Sequence, residues 1–392
     1  MIDENLVKCY ACEQYIVDGN TYDEHIVLNA IGGRLHSKNL LCRQCAPSFD
    51  KIDAQLAKYF NPVANLLKVR RHRGEPQPIR AEVVNTGEEI FLDPGGKPRM
   101  SKTVIDIKED NGEASISLAA RNEKQAREVL KGLKRRFPDL DIEKALGLAV
   151  KSEARLDSEV YFSLEVTGDE IYRSVCKTAV NFYVYNRGEY SYVKRLLPYL
   201  KGEEALNCVQ LYCPDYDFFP NFLEKGKVFH NLFVGGNPEE KVLYAVVEFF
   251  GAFQFVVLLS DQYEGQNFSD FYFFDLIEVR EYRPDVEITH LPRNLILETL
   301  GEKLPANDNL QSRVNVLFQV IGRKQYFENI VSQAVKKAFE ERSGEEDSQK
   351  IVRAAINEIK EALLPLIAKQ SEILNQQEMV EMNQLISDDN DG

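Results

Sequence analysis

The first 45 residues of the chain hold two Cys-x-x-Cys pairs, Cys9 with Cys12 and Cys42 with Cys45. Each pair places two sulfur atoms on one side of a tight turn, so that the two pairs together offer four thiolates to a tetrahedral zinc ion. A bound zinc would stabilise a lobe that is too short to bury a large core. The alternative is two disulfides. The total of seven cysteines is odd and the other three are scattered, which favours zinc; they are Cys176, Cys208 and Cys213.

An acidic residue directly precedes a histidine between the two cysteine pairs, at Glu24 and His25. A neutral imidazole is basic enough to take a proton from water near neutral pH. A carboxylate is the ligand that Mg²⁺ prefers, and the cation would neutralise charge on a phosphate. The pair therefore indicates metal-assisted phosphodiester chemistry, with Asp23 as an alternative carboxylate ligand.

With these motifs, about the first 75 residues resemble an HNH endonuclease of the ββα-metal type, with a zinc-binding Cys-x-x-Cys pair on each side. The resemblance is carried by the strings CYAC, DEHI, IGGRL and KNLLCRQC, and by a helix that begins near FDKIDAQLAKYF. It implies DNA as the substrate, a structural Zn²⁺ and a catalytic Mg²⁺ or Mn²⁺.

The resemblance also implies a role for each residue of the motif. His25 would be the general base, Glu24 the acidic metal ligand, and Asn39 the residue that stiffens the loop and orients the histidine. The residue after the last cysteine, normally His or Asn, would be the second protein ligand of the catalytic metal. In this chain that residue is Ala46, whose side chain offers no ligand atom. Two explanations stay open: an engineered substitution that silences a toxic nuclease, or a natural pseudoenzyme.

A basic run follows the motif and contains Lys68, Arg70, Arg71, His72 and Arg73. One interpretation is a set of phosphate contacts beside the site, which makes Lys68, Arg70, Arg71 and Arg73 candidate DNA-binding residues. The other is a solvated C-terminal end of a helix that starts near position 61, because cations are favoured there.

Charge is distributed unevenly along the 392 residues, which carry a net charge of −14. Residues 1–80 contain 11 Lys and Arg against 9 Asp and Glu, whereas the remainder contains 37 against 53. An acidic surface repels DNA, so we expect the remainder to bind a protein partner or further copies of the chain. No P-loop, dinucleotide fingerprint or GxSxG motif points to another enzyme class.

The remainder predicts an α+β domain with a helical C-terminal segment. Asp169–Tyr185 predicts a largely apolar, buried helix, and the apolar run Val242–Leu259 predicts paired core strands, because Glu248 and Gln254 argue against a membrane segment. The acidic end of the chain, 387–392, is expected to be disordered.

Taken together, these patterns predict a small zinc-bound ββα-metal lobe (1–75), a larger α+β regulatory or partner-binding domain (76–305) and a helical segment (306–392). We expect a gated, metal-dependent DNA endonuclease that acts against foreign DNA, inactivated here at Ala46. The alternative is a catalytically dead zinc module that binds nucleic acid or protein. An acidic N-terminus without an apolar run indicates a cytoplasmic protein with no membrane association.

Overall fold

The computed structural model describes residues 7–110, 113–150, 156, 158–213, 218–285, 288–301, 308–342 and 348–364. Its strands are β1 (Glu24–His25), β2 (His36–Ser37), β3 (Ile79–Val83), β4 (Glu89–Asp93), β5 (Lys97–Met100), β6 (Val104–Asp110), β7 (Glu113–Ala119), β8 (Val160–Tyr161), β9 (Val209–Leu211), β10 (Phe229–Asn237), β11 (Val242–Phe249), β12 (Phe253–Ser260), β13 (Phe268–Asp275) and β14 (Arg280–Tyr282). Its helices are α1 (Asp50–Tyr59), α2 (Asn61–Leu67), α3 (Glu123–Leu133), α4 (Ile142–Gly147), α5 (Asp169–Arg187), α6 (Leu197–Lys201), α7 (Arg293–Gly301) and α8 (Asp308–Glu341). Antiparallel sheets combined with separate helices confirm the α+β prediction.

The N-terminal part is a short hairpin followed by helices. Strand β1 pairs antiparallel with β2, and a 3₁₀ turn at Ala46–Phe49 leads into α1, whose buried side chains include Ile52 and Leu56. Helix α2 starts at Asn61, where the sequence predicts a helix start, and carries a proline in its first turn. It ends at Leu67 because Lys68 adopts a left-handed φ of 54°. The basic run therefore follows the helix and does not extend it.

A six-stranded antiparallel sheet forms the largest core, in the order β14, β13, β10, β11, β12, β9. The predicted core strands are β11 and β12, and every residue of both is buried. Both faces of the sheet are covered. Alternate residues of β11, such as Tyr244 and Val246, join an aromatic cluster with Phe233 and Phe273, while α5 packs against β9 to β12. A sheet that is covered on both faces explains the continuous apolar runs.

Helix α5 lies against both the N-terminal part and the sheet, because it contacts α1 as well as β9 to β12. This position explains why the predicted apolar helix is buried along most of its length. Phe60, which links α1 to α2, also packs on the sheet, with ring centroids 5.3 Å from Phe249 and 5.3 Å from Phe253. The hairpin and its helices therefore share one packed interior with the sheet.

The chain divides into two compact units, Met1–Val320 and Ile321–Gly392. In the second unit, the helical residues 348–364 meet α8 at three alanines, Ala338, Ala354 and Ala355. The predicted boundaries at 75/76 and 305/306 stay predictions. The acidic end at 387–392 lies outside the described residues. Among the described helices, none combines the length and the apolar character that crossing a bilayer requires.

Candidate functional site

The four cysteines predicted to bind zinc come together, with their sulfur atoms all within 4.8 Å of one another. The Sγ atoms of Cys12 and Cys42 are 3.8 Å apart. This equals the edge of a tetrahedron whose Zn–S bonds are about 2.3 Å long. The separation is too long for a disulfide, and all four cysteines are free thiols. The donor set therefore fits a structural zinc ion.

Local backbone contacts hold the two cysteine turns against each other. The N–H of Tyr10 donates to Leu40 O at 3.2 Å, and Thr21 forms an isolated bridge with Cys42. Burial, followed by the neighbouring sulfurs, raises the pKa of Cys45. A bound zinc ion would supply the positive charge that holds the cysteines as thiolates.

The hairpin sends Glu24 and His25 to opposite sides, since successive side chains of a strand alternate. Glu24 is buried and 3% exposed. His25 is half-buried and faces His36, with ring centroids 5.8 Å apart, and His72, with centroids 6.4 Å apart. We call His25, His36 and His72 the histidine face. The predicted base and the predicted metal ligand thus lie in two different environments.

The histidine face holds the predicted base as a neutral imidazole. Burial, followed by the neighbouring His36, lowers the pKa of His25. The Nε2 atom of His25 is enclosed and has no hydrogen-bond partner in the described part of the chain. Asp23, the alternative metal ligand, is exposed, and its Oδ1 lies 2.7 Å from Nδ1 of His36. The carboxylate of Asp23 therefore contacts the histidine face through His36.

On the other side of the hairpin, Glu24 is paired inside the protein. Its Oε1 lies 2.5 Å from Nζ of Lys177, and the same Nζ lies 2.6 Å from Oδ2 of Asp53 on α1. Asn181, one turn further along α5, donates from Nδ2 to Glu24 Oε1 and to His25 O, both at 3.3 Å. The hydroxyl of Tyr10 donates to Asn181 Oδ1 at 2.8 Å.

The electrostatics of this cluster follow from two carboxyls that share one ammonium. Burial raises the pKa of Glu24 and of Asp53, and in each case Lys177 opposes the shift. Burial alone would lower the pKa of Lys177, but Asp53 and Glu24 outweigh it and raise that pKa. Lys177 therefore stays protonated at neutral pH, although it is only 2% exposed.

Position 46, where the second metal ligand is expected, holds a buried alanine. Ala46 is 2% exposed, and its N–H donates to Cys42 O at 3.0 Å. With no ligand atom there, and with Glu24 already held by Lys177 and Asn181, the residues present do not fit a divalent cation. In this arrangement neither Glu24 nor Ala46 offers a free side-chain ligand, and the dependence on Mg²⁺ or Mn²⁺ stays a prediction.

Asn39, the residue expected to orient His25, lies at the exposed end of the hairpin. Its backbone N–H donates to Ser37 Oγ at 3.1 Å. In the described part of the chain, no hydrogen bond joins the Asn39 side chain to His25. The Asn181 amide donates to the backbone carbonyl oxygen of His25, and the orienting role of Asn39 stays a prediction.

The basic run is attached to the hairpin region by side-chain contacts. Arg34 donates from one guanidinium nitrogen to Asn29 Oδ1 and from another to Arg70 O, both at 2.7 Å. The N–H of His72 donates to the same Asn29 oxygen at 3.1 Å. The side chains of the run that are exposed are Lys68, Arg70 and Arg73, whereas Arg71 is half-buried.

The sequence pattern did not identify four residues of this site. His36 belongs to none of the sequence motifs, and it lies in β2 as part of the histidine face. Lys177 and Asn181 could have been suspected, because they are polar positions one turn apart in a helix that is predicted to be buried. Asp53 gave no signal, since carboxylates in a first helical turn are common.

The comparison with known families agrees with this geometry. Residues 9–61 match a family model described as HNH endonuclease. No curated protein and no solved structure matches the chain. The matched segment spans both cysteine turns, the β1–β2 hairpin and α1. Residues 9–61 of this chain are therefore a module of the HNH endonuclease family.

Proposed function

We propose that this chain binds DNA on the surface formed by the histidine face and the basic run, and that in this form it does not hydrolyse DNA through a divalent cation. The observation that carries the proposal is the attachment of the basic run to the hairpin, which brings His72 within 6.4 Å of His25. Exposed arginines thereby lie next to the place where an HNH module would present a phosphodiester.

The chemistry of this surface suits phosphate. The guanidinium groups of Arg70 and Arg73 can each make charge-assisted hydrogen bonds to phosphate oxygens. His36, held at Nδ1 by Asp23, can present its other ring nitrogen to the same backbone. Phosphate contacts give affinity without reading sequence, so we expect binding with little base specificity.

The proposed lack of hydrolysis is supported by the other side of the hairpin. Cleavage by an HNH module would need Glu24 and position 46 to share a cation, and here Glu24 is engaged by Lys177 while Ala46 has no ligand. Binding and cleavage are therefore separable in this chain.

A direct test uses labelled duplex DNA and the full chain. Fluorescence anisotropy at low salt should report binding, and the same DNA should stay intact after long incubation with Mg²⁺ or Mn²⁺. A His25→Ala variant serves as the control for contaminating nucleases. Failure to bind at low salt, or metal-dependent cutting that disappears in His25→Ala, would contradict the proposal.

A second candidate is the gated DNA endonuclease expected from the sequence, which would act in defence against foreign DNA. It is favoured by His25, whose lowered pKa keeps the imidazole neutral and able to accept a proton. In this form of the proposal, a protein partner or a second copy of the chain binds through residues 76–392 and moves α5 away from Glu24. Mg²⁺ or Mn²⁺ dependence, oligomerisation and a cytoplasmic location remain predictions.

The second candidate has its own test, the Ala46→Asn variant, which supplies the missing ligand. Metal-dependent cleavage by Ala46→Asn that is lost on adding His25→Ala would favour the gated enzyme. If Ala46→Asn folds and binds DNA without cutting it, with Mg²⁺ or Mn²⁺ and with any partner that copurifies, the binding protein remains the better account.

A further inference from the structure

Glu24, Asp53 and Lys177 form a cluster of ion pairs on the Glu24 side of the hairpin. Its two acidic members belong to the HNH module, and its basic member lies outside that module. Glu24 lies on β1 and Asp53 on α1, both within residues 9–61. Lys177 comes from α5, more than one hundred residues later in the chain. Among the described residues, Lys177 is the ion-pair partner of both Glu24 and Asp53. The module therefore depends on another part of the chain for this positive charge.

We propose that the Lys177 ammonium takes the place of the divalent cation in this HNH module, so that the acidic pocket is closed by an internal cation and does not take up Mg²⁺ or Mn²⁺. This inference rests on the proposed function in one respect, the absence of a working metal site. It goes beyond it by assigning that absence to a residue outside the module.

Charge and size support the replacement. Glu24 is buried and Asp53 is half-buried, so keeping both carboxylates ionised without a nearby cation is costly. A lysine ammonium is a compact point charge on a flexible stem, and it offers its three N–H groups to oxygen atoms. Its distances to the two carboxylates, 2.5 and 2.6 Å, are those of direct ion pairs without intervening water.

The neighbouring polar contacts fix the ammonium in place. Asn181 lies one helical turn from Lys177, on the same face of α5, and hydrogen bonds to Glu24 and to the hydroxyl of Tyr10. Lys177 also lies over the ring of Phe49, with Nζ 5.7 Å from the centroid. Two consecutive turns of α5 therefore contact the side of the hairpin that carries Glu24.

The same replacement explains Ala46. Once the charge on Glu24 is neutralised by Lys177, a second metal ligand has no role, and a small apolar residue can fill the buried position. Ala46 and Lys177 then form one coordinated change, which favours a natural variant over an engineered substitution at position 46.

The decisive experiment measures Mn²⁺ binding by electron paramagnetic resonance and the unfolding temperature Tm, on the full chain with its zinc retained. Mn²⁺ prefers carboxylate oxygen and leaves the four thiolates to zinc. Wild type and the Glu24→Gln variant should bind the same background of Mn²⁺. Lys177→Met should bind one additional Mn²⁺ per chain, and adding Glu24→Gln should remove it.

Stability gives a second readout. Without added metal, Lys177→Met should lower Tm by on the order of 10 °C, since breaking a buried pair leaves uncompensated charge. Mn²⁺ should recover much of that loss in Lys177→Met and none in wild type. Lys194→Met, which removes an exposed lysine paired with Glu13, is the matched control and should leave Tm nearly unchanged.

Two results would overturn the inference. One is an additional Mn²⁺ in wild type that Glu24→Gln removes, and the other is a folded Lys177→Met that binds only the background. If Lys177→Met does not fold without metal, the triple variant Glu24→Gln, Asp53→Asn, Lys177→Met should fold, because no charge remains; an unfolded triple variant also counts against the inference. Loss of DNA binding would refute the proposed function while leaving these Mn²⁺ results unaffected.

Discussion

His230 is a buried histidine that joins the large sheet to the HNH module, and its geometry predicts an acid-sensitive contact. Its Nε2 lies 3.0 Å from Ile31 O, and its Nδ1 lies 3.3 Å from the N–H of Phe250. A carbonyl accepts and an amide donates, so Nε2 carries the proton and Nδ1 accepts. Protonation would place a second N–H against the N–H of Phe250. The charged form is therefore disfavoured in the folded protein.

The size of the effect follows from the pKa. Burial lowers the pKa of His230 from 6.5 to about 4. Each pKa unit corresponds to about 1.4 kcal/mol, so the full shift is worth about 3 kcal/mol of folding stability. Because the unfolded chain takes up the proton first, this stability is present above pH 6.5 and is lost as the pH falls towards 4.

The assay is urea unfolding of wild type and His230→Gln between about pH 7 and pH 5. Glutamine keeps a donor for Ile31 O but does not titrate. Between pH 7 and pH 5 the free energy of unfolding of wild type should fall by about 2 kcal/mol more than that of His230→Gln. Equal slopes for wild type and His230→Gln, or an NMR titration of His230 near pH 6.5, would refute the reasoning.

Two further predictions concern the module itself. Elemental analysis should find one zinc per chain, and Cys45→Ser should release it and lower Tm, because the four sulfurs lie within 4.8 Å; zinc-free protein that keeps its Tm would contradict the site. Removing Arg70 and Arg73 should weaken DNA binding at every sequence and reduce the slope of log affinity against log salt by about 1 per lost phosphate contact. The matched double variant at the exposed Lys134 and Arg135 should not change that slope, and equal effects of the two doubles would exclude a specific role for the basic run.

The parts of the site that the sequence predicted are those set by neighbours in the chain. The cysteine turns, the Glu24–His25 step and the start of α1 depend on local spacing, and the four cysteine sulfurs come together as that spacing predicts. The position of α5 was predictable as a buried helix, but its neighbours were not. The pairing of Lys177 with Glu24 depends on how a helix in a later part of the chain packs, which local periodicity does not encode.

The basic run illustrates a different limit. The pattern from position 61 onwards is compatible with a helix that continues through Arg70, and only the left-handed conformation of Lys68 ends it earlier. A non-glycine residue with positive φ has a weak sequence signal. The consequence for the site is large, because the chain after Lys68 turns to bring His72 beside His25.

The packing of α5 also bears on the choice between the two candidate functions. In the DNA-binding protein Glu24 stays enclosed, whereas in the gated endonuclease it must become accessible. Access to Glu24 would require α5 to leave α1 and the sheet, and its buried apolar side chains would then be exposed; the larger ones are Ile171, Val175, Val180, Phe182, Tyr183 and Val184. At about 1.5–3 kcal/mol for each such side chain, the cost is on the order of 10 kcal/mol, which is comparable with the total stability of many domains. A partner that opened the site would have to replace contacts of that size. DNA can reach His36 and His72, which are exposed, without any such movement. The lower-cost route for a nucleic acid is therefore the histidine face, with Glu24 remaining closed behind it.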